Sequence, residues 1–266
     1  MPDKNLPDDL RQFDALVAII ARLRAPDGCP WDRKQTHASL REYLLEECYE
    51  ALAALDEADA GKLCQELGDI LLQIVLQAQI AREAGEFELA DVLAGINKKL
   101  IYRHPHVFGE TTANSAEEVA HNWEALKKAE RAEGTSILAS VPKQMPALAY
   151  AQEIQRRVAE AGFDWKDIQG VVDKLVEEVG ELQQAASAGE RAQEYGDLIF
   201  TLVNYARRQG FDSESALREA NERFFKRFIF MEELCRQRGL TFADLSPDKQ
   251  NGLWEEAKRG TKKAAP

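Results

Sequence analysis

A chain of 266 residues that is 30% charged, with net charge −12 and pI of about 5.0, is too acidic to offer a general surface to nucleic acid or to an anionic membrane. A nucleotide ligand stays open, because metal ions and a few local cations suffice to hold phosphates. Cysteines 29, 48, 64 and 235 show no CxxC or Cys/His ligand spacing, which predicts free thiols in a reducing compartment. The most apolar run, Ile70 to Ala81, is broken by Gln73, Gln77 and Gln79 and is too short to span a bilayer. No basic-then-apolar segment follows Met1, so the expectation is a soluble cytoplasmic protein with no nucleic-acid or membrane partner.

Residues 1–8 are polar with two prolines and are expected to be loose. A helix is predicted from about Asp9 to Arg24, with Phe13, Leu16, Ile19, Ile20 and Leu23 on its core side. Ala25 to Pro30 ends it, and the loop carries Trp31, Asp32, Arg33, Lys34 and His37. Further helices are predicted at about Ser39–Ala60, Lys62–Ala84 and Leu89–Tyr102, with a break at Gly61, a turn at Gly85 and a stop at His104-Pro105-His106. Another is predicted over Glu117–Ala132. Gly134 to Pro146 reads as a linker. Helices then follow at about Leu148–Glu160, Gly170–Ala188, Arg191–Gln209, Ser213–Arg238 and Ser246–Arg259, and the tail from Lys262 is expected to be disordered. No alternating strand pattern runs for more than a few residues. The fold class is all-α.

The chain contains itself twice. Glu46-Glu47-Cys48-Tyr49-Glu50 and Glu66-Leu67-Gly68-Asp69 are matched by Glu177-Glu178-Val179-Gly180-Glu181 and Glu194-Tyr195-Gly196-Asp197. Gly28-Cys29-Pro30-Trp31 precedes the first set and Gly162-Phe163-Asp164-Trp165 the second. Downstream, Asn97 to Leu100 with Arg103 matches Asn221 to Phe224 with Arg227, and Trp123-Glu124 with Lys127 matches Trp254-Glu255 with Lys258. Landmarks kept in order mean an internal repeat, with the differences in spacing falling in loops. The expected organisation is a tandem pair of four-to-five-helix bundles, residues 1–133 and 147–266, joined by 134–146.

Each repeat places two pairs of carboxylates on consecutive helices. Glu178 and Glu181 are three apart, as are Glu194 and Asp197, so each pair shares a helix face. Glu47, Glu50, Glu66 and Asp69 do the same in the first repeat. A single such motif in a highly charged chain reads as a solvated face; two, on helices that a short turn packs antiparallel, read as convergence. Like charges in a half-buried site repel and lose hydration, and a hard divalent cation with all-oxygen ligands, Mg²⁺ or else Mn²⁺, resolves this.

Arg223 and Arg227 lie four apart on one helix side, with Lys99 and Arg103 at the same spacing in the first repeat. An ordinary solvated face explains either pair alone. Downstream of carboxylates in both repeats, phosphate binding is the better reading. Trp254 and Trp123 would stack on a base or fill a helix junction. The four histidines lie off the carboxylate helices, against a di-iron bundle, and there is no GxxxxGK[ST] loop.

The doubled Glu-Glu-x-x-Glu and Glu-x-x-Asp, with Gly28-Cys29-Pro30-Trp31-Asp32 and Gln35-Thr36-His37, closely resembles the MazG family of the all-α NTP pyrophosphatase superfamily, over nearly the whole chain. The resemblance implies a homodimer that cleaves NTPs and dNTPs to the monophosphate and pyrophosphate with Mg²⁺. It makes Glu178, Glu181, Glu194 and Asp197 metal ligands, sets Lys174, Arg223 and Arg227 on phosphates, and lays Trp254 against the nucleotide. Glu177 is then the carboxylate left to orient the attacking water or take its proton. Where the second repeat has Lys174, the first has Tyr43 and so lacks one cation, and the resemblance implies that the second repeat is the catalyst. Glu190 and Arg191 stand where family members carry a Lys before Glu-x-x-Asp. The competing readings are a nucleotide-sensing protein with a regulatory protein partner, a narrow dUTP or dCTP hydrolase, and a structural bundle with charged faces.

Overall fold

A computed structural model describes residues 9–263, apart from 114, 117, 120, 121, 124, 125 and 127–133. Most of the helix predicted over Glu117–Ala132 lies outside the described residues. Every regular element described is helical. The chain divides into two compact units, Met1–Arg131 and Ala132–Pro266.

In the first unit, α1 (Phe13–Arg24), α2 (Arg41–Asp56), α3 (Ala60–Ala84), α4 (Leu89–Arg103) and the single turn α5 (Pro105–Phe108) follow in order. α2 and α3 form a helical hairpin, and α1 and α4 pack on α3. Ile20, Leu40, Val75, Leu76 and Ile80 make the core, with Leu16, Val17, Leu23 and Leu72 against it. The predicted break at Gly61 falls instead at Glu57–Asp59. Asp59 accepts the amides of Gly61 and Lys62 and so caps α3, which satisfies two of the donors a helix start leaves open and places Gly61 inside the first turn. The loop after α1 is held by Arg24, which bonds Glu83 on α3 and the carbonyls of Asp32 and Gln35. Gly28 is required there: a Cβ would stand 2.2 Å from the Leu23 carbonyl oxygen.

In the second unit, α6 (Ala147–Glu160), α7 (Ile168–Gln184), α8 (Ala188–Gln209), α9 (Ser213–Arg238) and α10 (Pro247–Lys263) follow. α7 and α8 form the hairpin equivalent to α2 and α3, and α6 packs on α8 and α9. A capping box between Ser187 and Glu190 starts α8, so Glu190 is spent on the helix start. A second core joins α9 and α10 through Met231, Leu234, Cys235, Leu253 and Ala257, with Trp254 partly buried on it. The stretch 134–146 packs on this unit. Arg157 bonds the Ile137 carbonyl and the Ser140 hydroxyl, and Val141 is buried.

Candidate active site

The α7–α8 hairpin brings the carboxylates together. Val171, Leu175 and Glu178 fall one to two turns apart on the inward side of α7, so the face that packs α7 also carries Glu178 inward, to 3% exposure. Glu194 and Asp197 reach it from α8, and one oxygen from each of the three lies within 4.8 Å of the others. Glu178 Oε1 accepts from Lys174 Nζ at 2.8 Å, while its buried Oε2 has no partner. Lys174 also donates to Glu177 at 2.7 Å and lies 3.9 Å from Glu181. Its hydrogen bonds to Glu177 and then Glu178 push its pKa above the ordinary lysine value. Burial, then Glu181, Glu178 and Asp197, push Glu194 above the usual carboxylate range.

The first unit repeats the arrangement. Glu47, Glu66 and Asp69 converge in the same way, and Glu66 Oε2 is buried without a partner. Burial and then Glu50 raise Glu66; burial and then Asp69 raise Glu47. In both units an orphaned buried carboxylate oxygen sits in an all-oxygen cluster. That donor set fits a hard divalent metal ion.

The interiors beside the two clusters differ. In the second unit a cavity of about 730 Å³ takes Lys174, Glu178 and Asp197 into its lining. Phe163, Trp165 and Phe200 form apolar wall, and Gln155, Asp164, Thr201, Asn204 and Arg207 add polar lining. The Gly-Phe-Asp-Trp loop is fastened over α8 by Asp164, which accepts from Arg207 and Arg208, while Arg208 also bonds the Trp165 carbonyl at 2.7 Å. Burial pushes the Asp164 carboxyl up, but the Arg207 hydrogen bond, the Trp165 amide and the charges of Arg207 and Arg208 together hold the group below its ordinary value. Four, seven and ten residues after the aspartate, the second unit has Thr201, Asn204 and Arg207, and the first has Gln73, Leu76 and Gln79. Ten residues before the loop tryptophan stand Gln155 and Ala21. Leu76 belongs to the first unit's core. Among the described residues, that unit shows a cavity of about 90 Å³ that reaches none of Glu47, Glu50, Glu66 and Asp69.

A profile of the MazG nucleotide pyrophosphohydrolase domain matches residues 35–108. The match stops short of the second unit, but relatives run through both. The chain is 46% identical over 249 residues to the nucleoside triphosphate pyrophosphohydrolase/pyrophosphatase MazG of Thermotoga maritima, covering 93% of this chain and 96% of that one. The chain belongs to the MazG family. It is also 42% identical over 258 residues to the nucleoside triphosphate pyrophosphohydrolase of Escherichia coli, covering 94% and 98%. At greater distance, the Mycolicibacterium smegmatis protein of the same name is 34% identical over 207 residues, 69% of this chain and 63% of that one.

Other residues that the MazG resemblance brings forward lie elsewhere. Arg223, Arg227 and Trp254 do not line the cavity. Arg227 lies over the Trp254 ring, 5.7 Å from its centroid, and Arg223 pairs with Glu219 at 3.3 Å. The first unit reproduces the contact, with Arg103 5.5 Å from the centroid of Trp123, and Lys99 is exposed. Tyr43, in place of Lys174, stands edge-on to Trp31 at 6.1 Å. Sequence reasoning passed over Gln155, Asn204 and Arg207. Continuing the Glu194–Asp197 face along α8 reaches Thr201 and Asn204 at helical spacing, whereas nothing in the sequence ties Gln155 to α8.

Proposed function

We propose that the chain is a nucleoside triphosphate pyrophosphohydrolase that cleaves NTPs and dNTPs between the α and β phosphates, giving the monophosphate and pyrophosphate, and that its second unit is the catalyst. The observation that carries this reading is the cavity of about 730 Å³ whose lining joins the rings of Phe163, Trp165 and Phe200 to Lys174, Glu178 and Asp197, room enough for a nucleoside with its phosphates on the carboxylates. The activity for which the relatives are named supports it.

Glu178, Glu181, Glu194 and Asp197 would hold Mg²⁺, or Mn²⁺ in its place, which supplies charge neutralisation at the phosphates and acidifies water. Lys174, inside the carboxylate group, releases Glu178 and turns to a phosphate oxygen when triphosphate binds. Glu177 is exposed and, among the described residues, tied through Lys174, so that movement frees it to orient the attacking water or take its proton. Arg223 and Arg227 are assigned to the phosphates and Trp254 to the nucleotide. Because none of the three lines the cavity of its own chain, a homodimer is the arrangement that supplies them, and exposed Phe224 and Phe225 support an apolar contact on α9. The enzyme works in the cytoplasm on a broad range of bases, in control of the nucleotide pool. No helix among the described residues is long and apolar enough to cross a membrane.

The test is product analysis with each NTP and dNTP, with and without EDTA. Monophosphate plus pyrophosphate, abolished by EDTA, is expected; diphosphate plus orthophosphate would place the cleavage one bond away and sink the assignment. Glu178→Ala is expected to lower the rate by about 100-fold or more, as loss of a metal ligand does, while Glu47→Ala keeps most of it. The reverse pattern would move catalysis to the first unit.

A further inference from the structure

One wall of the second unit's cavity takes no part in binding metal or phosphate. Gln155 is 3% exposed and lines the cavity from α6. Its Nε2 donates to the Phe200 carbonyl at 2.8 Å, which fixes the orientation of the amide and commits its donor side to α8. Its Oε1 is left buried with no donor. A buried amide oxygen without a partner is costly, so a native site that keeps one expects the donor from elsewhere. The neighbouring groups do not supply it. Thr201 Oγ1 donates to the Asp197 carbonyl at 2.9 Å, and Arg207 Nη2 donates to Asp164 and Asn204. Arg207 also lines this cavity, and its buried Nε is a donor without an acceptor.

The wall thus holds one unused acceptor and one unused donor, with Phe163, Trp165 and Phe200 exposing ring surface around them. Adenine, cytosine, guanine and uracil each present, on the Watson–Crick edge, an N–H beside an acceptor atom. We propose that Gln155 Oε1 accepts from that N–H and Arg207 Nε donates to the acceptor beside it, so that the pocket selects for the presence of a nucleobase edge and not for one base. This rests on the pyrophosphohydrolase reading and gives it a physical basis for broad substrate range: a single acceptor is satisfied by every standard base. It also predicts what is refused, namely a base of the same shape with no edge N–H, which would leave Oε1 buried and unpaired.

The experiment compares ATP with purine ribonucleoside triphosphate, which has hydrogen in place of the 6-amino group. For the wild-type full chain, kcat/KM for ATP is expected to exceed that for the purine analogue by about tenfold or more, the size of one buried unpaired acceptor. In Gln155→Leu the ratio is expected to fall to near one. Equal values in the wild type overturn the proposal without any variant, and so does a Gln155→Leu protein that loses both substrates in the same proportion, the mark of a structural role. Calorimetric binding of the two α,β-methylene analogues to the wild type gives the same ratio without turnover. An absence of cleavage with the binding ratio intact would overturn the hydrolase reading and leave base-edge recognition standing; a binding ratio of one would overturn the recognition.

Discussion

Glu153 on α6 shows how one carboxylate sets acid sensitivity. Hydrogen bonds from Arg156 outweigh desolvation and, with Arg157, hold it down to about 2, below its ordinary 4.5. A depressed folded value contributes stability that is fully present above about pH 4.5 and is lost as pH falls through about 2. The shift corresponds to at most about 3 kcal/mol, and partial solvent contact reduces it to about 1–2. Glu153→Gln is therefore expected to lower the unfolding free energy by that amount at pH 7 and to flatten its fall between pH 4.5 and 2, measured by denaturant titration at stepped pH. Glu194 has the opposite sign. Its raised value means that charging it costs stability as pH rises past the ordinary carboxylate range, so Glu194→Gln is expected to melt higher than wild type at pH 7 in EDTA and to lose the second unit's share of the rise that Mg²⁺ brings; a lower melting temperature in EDTA would contradict the like-charge account. At this scale the carboxylates were legible, because three-residue spacing within a helix leaves little freedom. Gln155 was not, since its partner Phe200 lies 45 residues away.

Elements were legible in type and less so at their ends. Apolar periodicity placed the helices, but a boundary is decided by which side chain satisfies the open amides. Asp59 does so for α3, overriding the glycine two residues later. The two loop glycines of the repeat look equivalent in sequence and do different things. Gly162 supplies a left-handed backbone at φ 91, with nothing near its absent Cβ. At Gly28 the obstacle is the fixed backbone carbonyls of Leu23 and Arg22. Gly162→Ala is therefore expected to cost about 1 kcal/mol, and Gly28→Ala about 2 kcal/mol or more, since main chain and not a flexible side chain must move. Equal effects in thermal denaturation would show that the α1 loop yields more easily than its geometry implies.

Over the whole molecule, two units share carboxylates and differ inside. If both clusters take metal, as their orphaned buried oxygens imply, scanning calorimetry with Mg²⁺ against EDTA should show part of the metal-dependent rise removed by Glu47→Gln, part by Glu178→Gln, and all of it by the double variant. A rise abolished by Glu178→Gln alone would mean that the first unit's cluster holds no ion. The sequence by itself determined the helical class, the duplication and the carboxylate pairs, because each is written in spacings of three, four and seven residues along one helix or in the order of repeated landmarks. Tertiary structure alone decided which carboxylate oxygen is buried without a partner and which unit opens a cavity beside its carboxylates. Those outcomes depend on contacts between α6, α7 and α8 from residues far apart in the chain, where Asn204 borders open space while Leu76, at the matching position, packs into a core.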